Sequence, residues 1–397
     1  MLAFLSVALS TVGALAQQLP SVFPISSSLV PGPPSAVCTR STYNITLLTC
    51  TYTIVPFSSN IGPSPNQTII TNLFQTYITS PTNFTAGYHT PTGLASASNS
   101  AGSYLISGTL CQPLFGYEHE GTVQLLVHGI PFDSQYWDFQ YDPELYSYVW
   151  AASAAGYTTF RYDRLGTGLS EHPIDGLNVV QADTDVQILS SIASLLRSGT
   201  LTGTGYNKIL LAGHSYGSVQ ATALASRTPA AVDGTIATGF SAYGGAVPLF
   251  LASGLWSSAA QVAPYACASL ASTYLLPTVP QAAQMNFYYY PGYDESVFVY
   301  DAAMPQPVTV GVMFTLETVA GAASNFTGPV LLVTGAQNLP FCGPSNQTIL
   351  QETGTALFPA SKYSYYAPEL TGHNVNLHLS APGTYAAMIE WVLENGF

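Results

Sequence analysis

The chain has 397 residues, of which 47% are hydrophobic and only 7% charged, with a formal net charge of −13. Its seven basic residues, Arg40, Arg161, Arg164, Arg197, Lys208, Arg227 and Lys362, are too scattered to track a phosphate backbone, which excludes nucleic-acid binding. The apolar and aromatic content excludes a disordered chain, and the length suits one large α/β domain with insertions, or two domains.

Leu2 to Ala16 is an apolar run ending in Ala14-Leu15-Ala16, a small-x-small pattern before Gln17. Residues 1–16 therefore read as a signal peptide, although no basic residue precedes the run. It falls short of the ~20 residues that a membrane span needs. Residues 17–103 are rich in Ser, Thr, Pro, Gly and Asn, with β-type runs such as Asn44 to Val55, and are expected to form an extension of strands and loops packed beside the main domain. Five glycosylation sequons, at Asn44, Asn66, Asn83, Asn325 and Asn346, point with the signal peptide to a secreted glycoprotein. Its acidity then reads as solubility in an extracellular medium. Cys38, Cys50, Cys111, Cys267 and Cys342 fit no zinc spacing, so no metal is expected. In an oxidising compartment Cys38 could pair with Cys50, and Cys267 with Cys342, but the sequence does not assign the pairs.

From residue 104 short β-rich runs alternate with helical stretches, the pattern of a parallel sheet covered on both faces. Strands are expected at Tyr104–Gly108, Val123–Val127, Thr158–Tyr162, Ile209–Ala212, Gly234–Gly239 and Val330–Thr334, with helices over Ala182–Arg197 and Tyr385–Leu393. Residues 104–245 and 326–397 would make the two parts of this core. Between them, residues 246–325 break the rhythm, and no charged side chain occurs from Asp233 to Asp294. Pro248, Pro264, Pro277 and Pro280 and the lack of basic flanks count against a membrane span. An apolar cap over a pocket is favoured. The aromatic run Phe287-Tyr288-Tyr289-Tyr290 would suit a substrate wall, and core packing explains it equally well.

The strongest local signal is Gly213-His214-Ser215-Tyr216-Gly217, directly after a strand and before the Ala-rich stretch Val219–Arg227. A serine nucleophile must project from a sharp, strained turn, and small residues two positions away let strand and helix approach. The helix N-terminus then favours developing negative charge. His128-Gly129-Ile130 follows an earlier strand, where a second oxyanion donor is expected, so the donors would be the N–H groups of Ile130 and Tyr216. His128 itself reads as a structural loop histidine. A late base is found in Thr371-Gly372-His373-Asn374. His378, among Leu377 and Leu379, reads as a packing residue.

The run of His128-Gly129-Ile130-Pro131, Asp163-Arg164-Leu165-Gly166-Thr167-Gly168, Gly213-His214-Ser215-Tyr216-Gly217 and Gly372-His373 resembles the α/β-hydrolase superfamily. Within it, the chain is most similar to secreted fungal α/β hydrolases of serine-esterase type. The resemblance implies a doubly wound, mostly parallel sheet with an inserted cap and an N-terminal β/loop extension. It also implies Ser215 as nucleophile, His373 as general base, and oxyanion donors at Ile130 and Tyr216. Epoxide hydrolases share the His-Gly-x-Pro loop but carry Asp at the elbow, so Ser215 favours ester chemistry.

One expected residue differs. The family's acid follows the strand matched by Val330–Thr334 in a Gly-x-x-Asp pattern, and this chain reads Gly335-Ala336-Gln337-Asn338. Asparagine orients an imidazole but supplies no charge to stabilise imidazolium. Either activity is weak or another carboxylate substitutes, with Glu317, Asp301 and Glu352 as candidates. The expected function is thus an esterase acting by an acyl-enzyme on a neutral or hydrophobic small-molecule ester, with no cofactor. The alternative is a pseudo-hydrolase that binds a hydrophobic ligand or partner.

Overall fold

The computed structural model describes residues 24–47, 61–80, 102–116, 119–342 and 347–397, with the short stretches 53–54, 57, 84 and 95–96. Nine strands make the main sheet: β1 (Ser26–Val30), β2 (Ala36–Thr46), β3 (Ser103–Pro113), β4 (Thr122–Val127), β5 (Thr158–Tyr162), β6 (Lys208–His214), β7 (Gly234–Thr238), β8 (Val330–Val333) and β9 (Tyr363–Tyr366). Their spatial order is β1-β2-β3-β5-β4-β6-β7-β8-β9. All neighbours from β5 to β9 are parallel, and β1, β2 and β3 add on antiparallel.

The strands at the centre are buried on both faces, which is why they read as continuous apolar runs. The side-chain period of two still sorts them. Leu125 and Leu211 enter one core, with Val186 and Leu189 of helix α3 (Ala182–Ser198). Leu126 and Leu210 enter the other, with Val149 of α2 (Tyr148–Ala154) and Met388 of α6 (Ala381–Glu394). Helix α3 carries Asp183 and Asp185 in its first turn and Arg197 in its last, matching the helix dipole, and stops at Gly199 in the left-handed conformation. Helices α4 (Tyr216–Arg227) and α5 (Gln347–Leu357) follow β6 and precede β9.

The expected sheet and its flanking helices are present, with two differences. First, the N-terminal segment is not a unit beside the core, because β1 and β2 are strands of the main sheet. Residues 36–46 pair with 103–113 over their full length, so half-polar residues gain ladder partners that no local pattern reveals. This register sets Cys38 opposite Cys111, and the two form a disulfide at a Cα–Cα distance of 4.1 Å. Cys38 is therefore not paired with Cys50, which lies outside the described residues. Cys267 and Cys342 are separate buried thiols rather than a pair.

Second, β9 was not expected. It holds four residues at the sheet edge, two of them exposed tyrosines, Tyr365 and Tyr366. The insertion between β7 and β8, read from the sequence as a cap rather than a span, has secondary structure of its own. It contains helices of four to eight residues and a small sheet of Trp256–Ser258, Tyr274–Pro277 and Val308–Thr309. No helix among the described residues is long and apolar enough to cross a membrane. Helix α1 (Gln67–Thr79) binds this insertion, with Phe74 on Phe314 at 5.0 Å. The Gln67 amide also donates to the Trp256 carbonyl at 3.0 Å, closing part of the small sheet's open edge.

Candidate active site

The site lies at the carboxyl ends of the central parallel strands, where doubly wound sheets bind ligands. Ser215 follows β6 directly and adopts φ 54° and ψ −116°, a region that costs a non-glycine residue about 1–3 kcal/mol. The surrounding structure imposes that geometry. The Ser215 N–H donates to the Thr238 carbonyl at 2.8 Å, and the Ser215 carbonyl accepts from Ser218 and Val219, starting α4. Two glycines permit the approach. A Cβ on Gly213 would stand 2.3 Å from the Gly217 carbonyl oxygen, and one on Gly217 would stand 2.2 Å from that of Val127.

Both candidate oxyanion residues adjoin this elbow. Tyr216 is the first residue of α4, so its N–H has no acceptor within the helix. The loop bearing Ile130 lies on Ser215, since a Cβ on Gly129 would be 2.8 Å from the serine Cβ.

His373 arrives on the loop between β9 and α6. Its ring centroid is 4.9 Å from that of His214, the residue before Ser215, so this loop packs on the same strand end. Asn338 Oδ1 lies 3.0 Å from His373 Nδ1 and also accepts the Phe341 N–H at 3.3 Å. The Phe341 donor fixes the amide orientation, because the opposite flip would set two N–H donors against each other. His373 Nδ1 therefore carries the proton and Nε2 the lone pair. Burial first, and then the neighbouring His378, push the His373 pKa down to about 3.

None of the three candidate carboxylates replaces Asn338 at His373 Nδ1. Asp301 accepts instead from the Tyr288 hydroxyl at 2.7 Å. Glu317 sits near the Tyr77 hydroxyl and Glu352 is exposed.

His378 does more than pack. Its Nε2 accepts the N–H groups of Gly372 at 2.9 Å and Tyr289 at 3.2 Å, while Nδ1–H donates to the Asn374 carbonyl at 2.7 Å. It thereby joins the His373 loop to the insertion. The insertion also covers the site, with the Phe287 ring 5.5 Å from His373 and 5.9 Å from Phe132. On the other side Phe341 stacks on His373 at 5.8 Å. A cavity of 230 Å³ lies beyond Phe132 and Phe287, and one of 220 Å³ beyond Phe341. Ser215 lines neither and is 8% exposed, so the elbow is roofed over. Among the described residues no cluster of His, Cys, Asp and Glu could hold a metal.

The family model described as "Alpha/beta hydrolase family" matches residues 124–388, most of the chain. The chain belongs to the alpha/beta hydrolase family. Two solved structures are similar to this hydrolase. One is a thermophilic esterase from Thermogutta terrifontis with malate bound, with TM-score 0.51 and 15% identity, covering 76% of this chain and 97% of that one. The other is Rv0554 from Mycobacterium tuberculosis, with TM-score 0.50 and 16% identity, covering 74% and 95%. At such identities the likeness shows the fold alone. No curated protein matches the chain in sequence.

The sequence did not reveal the buried network that braces the Gly129–Ile130 loop of this hydrolase. Arg164 pairs with Asp185 at 2.9 Å, donates to the Gly129 carbonyl at 3.3 Å, and lies over the Tyr216 ring at 4.6 Å. The Tyr216 hydroxyl donates to the same Asp185 oxygen at 3.0 Å. The Arg164 N–H donates to His128 Nε2 at 3.0 Å, and His128 Nδ1–H donates to the Gly129 carbonyl at 3.0 Å. Burial first, then the Arg164 charge, holds the His128 pKa well below the usual range, so it stays neutral. One signal for Asp185 exists: it lies three and four positions before Ile188 and Leu189, on the buried face of α3.

Proposed function

We propose that this alpha/beta hydrolase is a secreted serine hydrolase that cleaves carboxylic esters through an acyl-enzyme, resembling secreted fungal members of the family. His373 Nε2 takes the proton of the Ser215 hydroxyl, and Ser215 Oγ attacks the ester carbonyl. The N–H groups of Ile130 and Tyr216 bind the oxyanion. Collapse expels the alcohol, which leaves with the proton held on His373 Nε2. The neutral ring then takes a proton from the water that attacks the acyl-enzyme, returning it to Ser215 Oγ as the acid departs. The observation that carries this reading is the strained Ser215 conformation, held between Gly213 and Gly217 at the start of α4. Strain of this kind persists where the surrounding structure over-determines it, and an ordinary turn gives no reason for it.

The insertion acts in this reading as a cap, and the two apolar cavities beside His373 receive the acyl and alcohol groups. The esterase activity named for the Thermogutta terrifontis structure agrees with ester chemistry. Secretion is supported by the apolar run at residues 2–16 and by the Cys38–Cys111 disulfide. Asn44, Asn66 and Asn325 are exposed, as glycan attachment requires, whereas Asn83 and Asn346 lie outside the described residues. Asn66 also caps α1 through Oδ1, which leaves its Nδ2 for a glycan.

A second reading, a ligand-binding pseudo-hydrolase, is favoured by Asn338, which leaves His373 without a negative partner. A panel of p-nitrophenyl esters with short and long acyl chains separates the two. The esterase reading predicts hydrolysis that disappears in Ser215→Ala. Absence of turnover across the panel by folded protein contradicts it.

A further inference from the structure

Asp301 has no role in the chemistry above, and its position in the last turn of the insertion helix Glu295–Ala302 is unusual for a carboxylate. The helix dipole disfavours negative charge there. All seven basic side chains of the protein are engaged elsewhere. Arg161 pairs with Asp138, Arg164 with Asp185, Arg197 with Asp233 and Arg227 with Asp183. Lys208 bonds the Gly396 carbonyl, Lys362 the Asn395 side chain and Arg40 the Thr109 hydroxyl. Asp301 thus has a hydroxyl partner, Tyr288, on Oδ2 at 2.7 Å, and among the described residues Oδ1 accepts no hydrogen bond. Burial raises its pKa to about 7. Asp301 is half-buried, so this carboxyl without a cation keeps one oxygen open to a ligand from the adjoining space.

Its carboxyl faces the 230 Å³ cavity, whose other walls include Pro131, Phe132, Val279, Ala283 and Phe287. Among the described residues lining that cavity, Asp301 is the sole ionisable group. Pro131 directly follows Ile130, and Phe287 packs on His373, so the cavity abuts the reacting groups. We propose that Asp301 is a specificity-determining residue: the cavity takes an apolar substrate group that ends in a hydrogen-bond donor, a hydroxyl or an ammonium, which binds Asp301 Oδ1. Thr278 is the other polar side chain on the cavity's mainly apolar walls, and a pocket with so few polar groups orients its ligand through them, the charged one above all. It discriminates strongly against an analogue lacking the donor. The inference rests on the esterase reading for its meaning as specificity, but the cavity's ligand preference is measurable without turnover.

Ligand-observed NMR titration of the full chain with 1-butanol, butylammonium and 1-chlorobutane, near pH 8, tests it. Wild-type protein should bind both donors at least about tenfold more tightly than 1-chlorobutane. Asp301→Asn, which keeps an acceptor for Tyr288, should retain butanol binding and lose the butylammonium preference. Asp301→Leu should lose both preferences. Equal binding of 1-chlorobutane by the wild type, unchanged preferences in Asp301→Leu, or no binding of any probe would overturn the proposal. Active-site serine labelling in the same samples keeps the failures apart, since its loss counts against the nucleophile and leaves the cavity result standing.

Discussion

His373 Nδ1 meets Asn338 Oδ1 at 3.0 Å, where the family's sequence pattern places a carboxylate. The amide fixes the ring tautomer but offers no charge to the imidazolium. Asn338 Nδ2 is itself buried with no hydrogen-bond partner among the described residues, so these do not reward the amide for being one. Asn338→Asp should therefore raise kcat by about 10²- to 10⁴-fold on a p-nitrophenyl ester. A carboxylate at this position favours the charged ring, so it raises the His373 pKa from about 3. Initial rates of the wild type should stay level as pH falls to about 5, and those of the variant should decline over the same range. An unchanged rate and pH profile would mean that residue 338 does not influence the working imidazole.

The Ser215 backbone offers a test of strain that is independent of substrate. Ser215→Gly and Ser215→Ala both remove the hydroxyl, but only glycine adopts φ 54° without penalty. The glycine variant should be more stable than the alanine variant by about 1 kcal/mol in urea unfolding. Equal stability would show that the elbow is not strained.

Much of this site was readable locally, and what was not is non-local. Gly213-x-Ser215-x-Gly217 carries its own turn geometry, and Asn338 stands at a fixed offset from β8. The strands with uniform apolar runs, such as Ile209–Ala212 and Val330–Val333, declare themselves because both faces are buried. By contrast, β2 alternates buried Tyr43 and Ile45 with exposed Asn44 and Thr46, and its place depends on a partner some sixty residues on. The Cys38–Cys111 bond follows from that same pairing, so no count of cysteines could assign it. Arg164 and Asp185 belong to a loop and a helix that meet only through the sheet, which is why their ion pair stayed hidden.

That pair also makes a stability prediction. Arg164→Met leaves Asp185 buried with only the Tyr216 hydroxyl, and should cost about 3–5 kcal/mol. The double variant Arg164→Met/Asp185→Leu should be less destabilised than Arg164→Met alone. Additive losses in a double-mutant cycle would show that the two side chains do not act as a unit.

Acid should destabilise the fold. His373 and His378 are held neutral down to about pH 3 and 4, and burial keeps the His128 and His214 pKa values well below 6.5. The unfolded chain takes up these protons below about pH 6.5 and the folded chain does not, so their contribution is lost as pH falls from there to about 4. Asp301 and Asp133, raised to about 7 and about 6, act in the opposite sense, since the folded chain protonates them first. His172 is lowered as well and Asp185 is raised as well, so five histidines stand against three carboxyls and the histidines dominate. Tm should fall steadily below about pH 6, and the advantage of Asp301→Asn over the wild type should be larger near pH 8 than near pH 5. A Tm that is level down to about pH 4 would contradict this balance.

If Ser215 is a working nucleophile despite Asn338, an irreversible serine-directed probe should find it. Labelling of the folded protein with a fluorophosphonate, followed by mass spectrometry of the modified peptide, measures this without knowledge of the substrate. A single adduct should form on Ser215, absent in Ser215→Ala and slowed in His373→Ala. Folded protein that takes no label, or takes it on another residue, would contradict it.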